Sequence, residues 1–330
     1  MDGVFEKMSG LLGARFMLGL LMPLLAWCGG VGALVATAHG WTATLRWWDA
    51  LSVSKQVLLA VAAAVGVVVL ATMLGTVVIP LTRMLEGYWG QLGNPFAALG
   101  VRLQKRRLER LESQTTDFTD YRIYLGFPDT DLLPTRLGNI LRAAETYSGD
   151  SDRWAVDAVF WWPRLYVLLS DASRQAVDDT RDALDQLVVM TWLLAAFGLV
   201  AAGFGVGGMS TVVWLPCSVG GLAASRVTYL AATSAAAGFG EQVRSSFDLY
   251  RLELLTHLGW QTPAQWPDER ALWQALQQQL YRRGASQSDL LTQPRTSQER
   301  QSWFNVTHDL AKQMFRGRRA SDIRTGDHGH

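Results

Sequence analysis

The residues best placed to do chemistry are charged groups beside long apolar runs. Asp171, Asp178, Asp182 and Asp185 recur at helical spacing, so on a continuous helix they form an acidic stripe leading into an apolar segment. If such helices assembled around an axis, the stripe would ring a pore mouth and attract cations. Arg174 and Arg181 lie close enough in sequence to pair with it instead. Arg226 falls inside another apolar segment, where an ionisable group is costly and by default points to function. Its side chain can either snorkel to the nearer membrane edge or pair with a carboxylate such as Asp185. Lys105, Arg106, Arg107 and Arg110 make a basic cluster suited to anionic lipid headgroups, or else a solvated helix face partly offset by Glu109 and Glu112.

Enzyme-type constellations do not emerge. Cys28 and Cys217 stand apart, outside any Cys-x-x-Cys or Cys/His arrangement of the kind zinc requires. His39, His257, His308, His328 and His330 occupy separate contexts with no nucleophile motif such as Gly-x-Ser-x-Gly. The glycines at 198, 203, 205, 207 and 208 sit in an apolar run with no following Gly-Lys-Ser/Thr, which argues against a phosphate loop. A formal net charge of +1 lacks the basic excess expected of a nucleic-acid binder. The expectation is a non-enzyme with no cofactor, no metal and no nucleic-acid partner.

The elements that position these charges are set by hydropathy. Hydrophobic residues make up 49% of the chain and charged residues 18%, against about 25% charged in soluble domains. The excess is local, in runs at residues 16–38, 57–81, 187–206 and 211–232, each near the roughly 20 residues a bilayer-crossing helix needs. The fold expected is all-α: a polytopic membrane protein with four transmembrane helices in two hairpins and helical cytoplasmic regions. Its parts are an N-terminal hairpin (1–81), a cytoplasmic helical region (82–186), a second hairpin (187–236), C-terminal cytoplasmic helices (237–316) and a disordered tail (317–330). Ala36, Thr37 and Ala38 leave open whether the first run is a retained span or a cleaved signal peptide.

Orientation follows from the basic residues. Arg83, Arg102 and the cluster from Lys105 to Arg110 follow the second run and mark that side as cytoplasmic, whereas Trp41, Trp47 and Trp48 suit an outer aromatic belt. Both termini are then cytoplasmic, and the expected location is a bacterial inner membrane.

Within the polar stretches, residues 135–147 carry Leu137, Ile140, Leu141 and Ala144 at helical spacing. A helix starting at Ser170 or Asp171 runs without Pro or Gly into the third span, and another continues beyond the fourth. The stretch 154–169 is rich in large apolar residues and is expected to be broken by Pro163. Trp161, Trp162 and Arg164 within it, with Trp303 further on, are either core or a partner-docking surface. Pro134, Thr135, Arg136, Leu137, Gly138 and Asn139, with Arg142 to Glu145 and Trp162 to Leu165, resemble a segment of uncharacterised bacterial multi-pass membrane proteins. The resemblance implies bacterial origin and no mechanism. The function expected is a membrane anchor or signal relay binding the bilayer and a cytoplasmic protein partner, or self-associating. The alternative is a homo-oligomeric channel with the acidic stripe at its cytoplasmic mouth.

Overall fold

Where water is absent, a chain must pair every backbone N–H and C=O within itself, and a helix does so locally. The computed structural model describes residues 17–90, 94–114, 126–128, 131–149 and 153–281. Among these, all regular structure is helical. A π-helical turn at Met17–Leu21 is followed by α1 (Met22–His39), α2 (Trp41–Asp49), α3 (Val53–Glu86), α4 (Asn94–Gln114), α5 (Arg136–Thr146), α6 (Ala158–Leu168), α7 (Asp171–Val206), α8 (Thr211–His257) and α9 (Trp266–Tyr281). Trp303 and the expected disordered tail lie outside the described residues.

Three helical segments, Gly19–His39, Val53–Glu86 and Asp171–Val206, are long and apolar enough to cross a membrane. Of the most apolar stretch of α3 only 6% is buried within the chain, so its Val and Leu side chains are available to lipid. The fourth apolar run lies within α8, a single helix of 47 residues. There Pro216, Ser218, Ser225, Arg226 and Thr228 dilute its apolar character, and it is not among the three. The helix break expected at Pro163 is absent, that residue lying within α6, and Pro80 likewise lies within α3. Val159, whose carbonyl loses its helical donor at Pro163, lies on the exposed face of α6, where an interruption costs least. The Trp residues read from the sequence as an aromatic belt lie on α2, with Trp41, Trp47 and Trp48 all exposed.

The chain divides into two units, residues 1–148 with 169–247, and residues 149–168 with 248–330. In the first, α7 is the common neighbour of the apolar helices. A side chain at Gly19 would meet Gln186 and one at Gly30 would meet Phe197, so α1 runs alongside α7 in the same direction. Leu21, Leu24 and Ala71 share a buried cluster, and the Trp192 indole N–H donates to the Leu81 carbonyl at 3.2 Å, so α3 runs the opposite way. Against α8 the contact is backbone-close. A Cβ on Gly221 would stand 2.9 Å from the Gly198 Cα, and one on Gly198 would stand 2.9 Å from the Ser218 carbonyl oxygen. Small residues permit this approach where lipid supplies no hydrophobic drive between helices. Polar bonds reinforce it: Ser225 Oγ donates to the Thr191 carbonyl at 2.9 Å, and Thr191 Oγ1 donates to Thr228 Oγ1 at 3.1 Å. The close packing of the two helices is thus made within one chain at Gly198 and Gly221, while Gly220 faces open space.

The second unit has its own core. Trp161 and Trp273 are both fully buried and meet edge to face, ring centroids 5.0 Å apart. The nearly buried Glu269 carboxylate accepts from Arg251 Nε at 2.9 Å and from the Trp273 indole at 3.4 Å. The Arg251 guanidinium also lies 4.0 Å from the Trp154 ring centroid. Asp157 caps α6 by accepting from the Phe160 amide at 3.1 Å, and its other oxygen accepts from Gln277 at 3.3 Å. Trp161 is therefore core, the first of its two readings, and is not available as a docking surface; a buried indole against a second indole is worth more than an exposed one. Trp162 is half-buried and Arg164 exposed, its guanidinium 4.5 Å from the Phe160 ring centroid.

Two outcomes follow. Gly221→Leu should destabilise the detergent-solubilised chain by about 1–3 kcal/mol through overpacking, while Gly220→Leu leaves its melting temperature almost unchanged. Glu269→Ala strands the buried Arg251 charge and should cost about 3–5 kcal/mol, read from loss of Trp fluorescence cooperativity in denaturant.

Candidate anion-binding site

The site begins where α3 ends. Gly87, at φ 102, closes that helix, with the Gly87 amide donating to the Met84 carbonyl at 3.2 Å and the Tyr88 amide to Arg83 at 3.1 Å. The Glu86 carbonyl is taken by a residue far along the chain: Thr135 Oγ1 donates to it at 2.8 Å. The same hydroxyl oxygen caps α5 by accepting from the Gly138 amide at 3.0 Å. Gly138 itself abuts the Glu86 carbonyl, so any Cβ there would strike it. Asn139, fully buried, accepts from the Leu133 amide at 2.7 Å and donates to the Leu133 carbonyl at 3.0 Å, pinning the strap before Pro134. From α8, the Tyr229 hydroxyl accepts from the Leu137 amide at 3.4 Å. From α4, Gly100 comes so near that a Cβ would stand 2.7 Å from the Pro134 carbonyl oxygen. Below the cap, Leu137, Ile140 and Leu141 of α5 bury against Leu184 and Val188 of α7 and Ala232 and Ala236 of α8.

These supports hold open a cleft of ≈ 410 Å³ lined by Gln104 and Arg107 of α4, the Pro134–Arg136 strap, and Arg226, Tyr229 and Leu230 of α8. Three arginines line it and no carboxylate does. The Arg226 guanidinium sits 5.5 Å from the Tyr229 ring centroid, which fixes its direction. Burial makes Arg136 easier to deprotonate than a free arginine, and the positive charges of Arg107 and Arg226 add to this against the opposing influence of Tyr229. Arginine stays protonated at neutral pH regardless, so Arg136 stands here as a partly desolvated cation with two further cations close by. An anion entering the cleft would offset that charge. Guanidinium groups bind phosphate and carboxylate by paired donors.

The residues singled out by sequence sort unevenly. Arg107 and Arg226 come together here, although they lie far apart in the chain. Lys105, Arg106 and Arg110 are exposed on α4 outside the cleft lining. Asp185 accepts from Arg181 Nε at 3.2 Å, a pair on one helix, so of the two readings of Arg226 the clamp with Asp185 is not made. Asp178 and Asp182 are half-buried on the same helix. Sequence reasoning passed over Gln104, Arg136 and Tyr229. The signal for Arg136 was its place beside Thr135, Gly138 and Asn139, three residues now seen to position it. Among the described residues no three of His, Cys, Asp and Glu gather as a metal site. No protein-family model, curated protein or solved structure matches the chain.

Asn139→Leu, close in volume, leaves the Leu133 amide and carbonyl buried without partners. It should cost about 1–3 kcal/mol, whereas Arg142→Gln, which loses only a partly exposed pair with Glu145, should change stability by no more than about 0.5 kcal/mol. Thermal unfolding of both variants in the same detergent checks this.

Proposed function

We propose that this chain is a four-span integral protein of a bacterial inner membrane, with both termini cytoplasmic, that anchors or relays a signal to a cytoplasmic protein partner. The observation that carries the reading is the continuity of α7 and α8. Each runs unbroken between a charged segment and an apolar one, and the two meet backbone to backbone at Gly198 and Gly221. A displacement of the charged ends would therefore be felt in the apolar segment, which is what an anchor that senses its partner requires. The directions of the helices support the topology: α1 and α7 run one way, α3 and α8 the other, as alternation across a bilayer demands. The position of Arg226 beside α4 and the strap supports its place at the cytoplasmic edge of the fourth span.

The pore alternative draws less support. Its acidic stripe has Asp185 engaged by Arg181, and the small-residue face of α7 is spent on α8 of the same chain.

Two measurements test the proposal. In a cysteine-free background, a membrane-impermeant thiol reagent applied from outside should label Ser52→Cys and Ser210→Cys and leave Ser113→Cys and Ser173→Cys unlabelled. Protection at Ser210→Cys would sink the four-span topology. Cross-linking mass spectrometry on native membranes should then join Lys105 or Lys312 to one recurrent cytoplasmic protein; links solely between copies of this chain would favour the pore instead.

A further inference from the structure

The cleft carries positive charge that nothing in its own lining neutralises, and the surface leading into it is apolar. On α4, Phe96, Leu99 and Leu103 are 69%, 56% and 54% exposed. They recur at helical spacing, and Arg107, four residues beyond Leu103, continues their line into the cleft. On the opposite wall, exposed Val227 accompanies Leu230 beside Arg226. A helix with an exposed apolar stripe and a basic end has the make-up of one lying in the membrane interface. Gln104 adds a third feature: its Oε1 is buried and accepts from no group among the described residues, although it lines the same cleft.

We propose that this cleft binds the headgroup of an acidic phospholipid, the phosphate held by Arg107, Arg136 and Arg226 and the acyl chains lying along Phe96, Leu99 and Leu103. Charge complementarity selects the phosphate, because three guanidinium groups converge with no carboxylate in the lining. The apolar approach selects a lipid over a soluble anion, since free phosphate has no use for an exposed Leu and Phe stripe. The cleft volume, ≈ 410 Å³, falls in the lower part of the roughly 300–1,000 Å³ typical of small-ligand sites, enough for a glycerophosphate headgroup with its tails outside. A headgroup hydroxyl would give the Gln104 Oε1 its missing donor. Occupancy would tie α4, the strap and α8 together, since each contributes one of the three arginines. The lipid assignment rests on the bilayer placement proposed above.

The test titrates the full-length chain in neutral detergent with phosphatidylglycerol, phosphatidylcholine and inorganic phosphate, reading bound mass by native mass spectrometry. Phosphatidylglycerol should bind saturably and phosphatidylcholine should not. At roughly 1 kcal/mol for each charge near an anionic surface, Arg136→Gln and Arg226→Gln should each weaken it about fivefold and their combination about thirtyfold. Arg102→Gln, on α4 but outside the cleft lining, should change it less than about twofold. Equal weakening by Arg102→Gln would mean diffuse attraction and overturn the site, and displacement of the lipid by inorganic phosphate would overturn the lipid assignment. Should the cleft variants fail to fold, the unmodified protein still decides: saturable, phosphate-resistant binding supports the site, and binding that never saturates overturns it. An alkaline carbonate wash separates the two levels of failure. A chain released by the wash fails the bilayer reading itself, whereas a retained chain without phosphatidylglycerol preference fails this inference alone.

Discussion

One hydroxyl organises the base of the apolar helices. Thr135 donates to the last free carbonyl of α3 and accepts from the first turn of α5, so a single side chain satisfies a helix end on each side. Helix termini leave backbone groups unpaired, and burying them without partners costs several kcal/mol. Here one terminus closes the other. The consequence is geometric as well as energetic: the Glu86 carbonyl, Thr135 and the Gly138 amide fix where α5 begins and thus where Arg136 stands. Gly138 and Gly100 matter for the same reason, because each removes a Cβ that would otherwise hold the strap away from α3 or α4.

Above this junction α7 serves as the shared surface. Its neighbours take different parts of its circumference, with α1 and α3 meeting it through Phe197 and Trp192 and α8 through Gly198. The interface with α8 combines two devices suited to a lipid setting, a glycine–glycine approach that gains dispersion contact and short hydroxyl bonds that would find no partner in hydrocarbon. The residue-149 to residue-168 segment and the C-terminal helices solve a different problem. They gather aromatic rings around the Arg251–Glu269 pair, and the pair is satisfied by an indole donor and an aromatic face as well as by its own charge. The first unit is built for close backbone packing and the second for burial of large side chains.

The cationic cleft differs from the arginine pairs of the neighbouring helices. Arg142, Arg174, Arg181, Arg244 and Arg251 each have a carboxylate within salt-bridge distance. Arg107, Arg136 and Arg226 instead line one cleft of ≈ 410 Å³ that has no carboxylate among its lining residues. Like charges drawn together weaken the compact state, so a site of this kind is stabilised by whatever anion it takes in. That makes its arginines poor candidates for a purely structural role and good ones for binding.

Sequence alone determined the helical class and three of the four places where it led one to expect apolar helices long enough for a bilayer, because both depend on short-range properties such as run length and periodicity. The start of α5 at Thr135 and the continuity of α7 were legible on the same grounds. Pro163 misled because a proline's cost depends on which face its orphaned carbonyl occupies, and that is known only once neighbours are placed. Trp161 was ambiguous because a large apolar side chain serves core and interface alike, and only the arrival of Trp273 decided for core. The cleft belongs wholly to tertiary structure. Arg107, Arg136 and Arg226 are separated by whole helices, and no local pattern links them. They converge because a threonine, an asparagine and two glycines, none of them charged, hold α3, α4, α5 and α8 closer than larger side chains would allow.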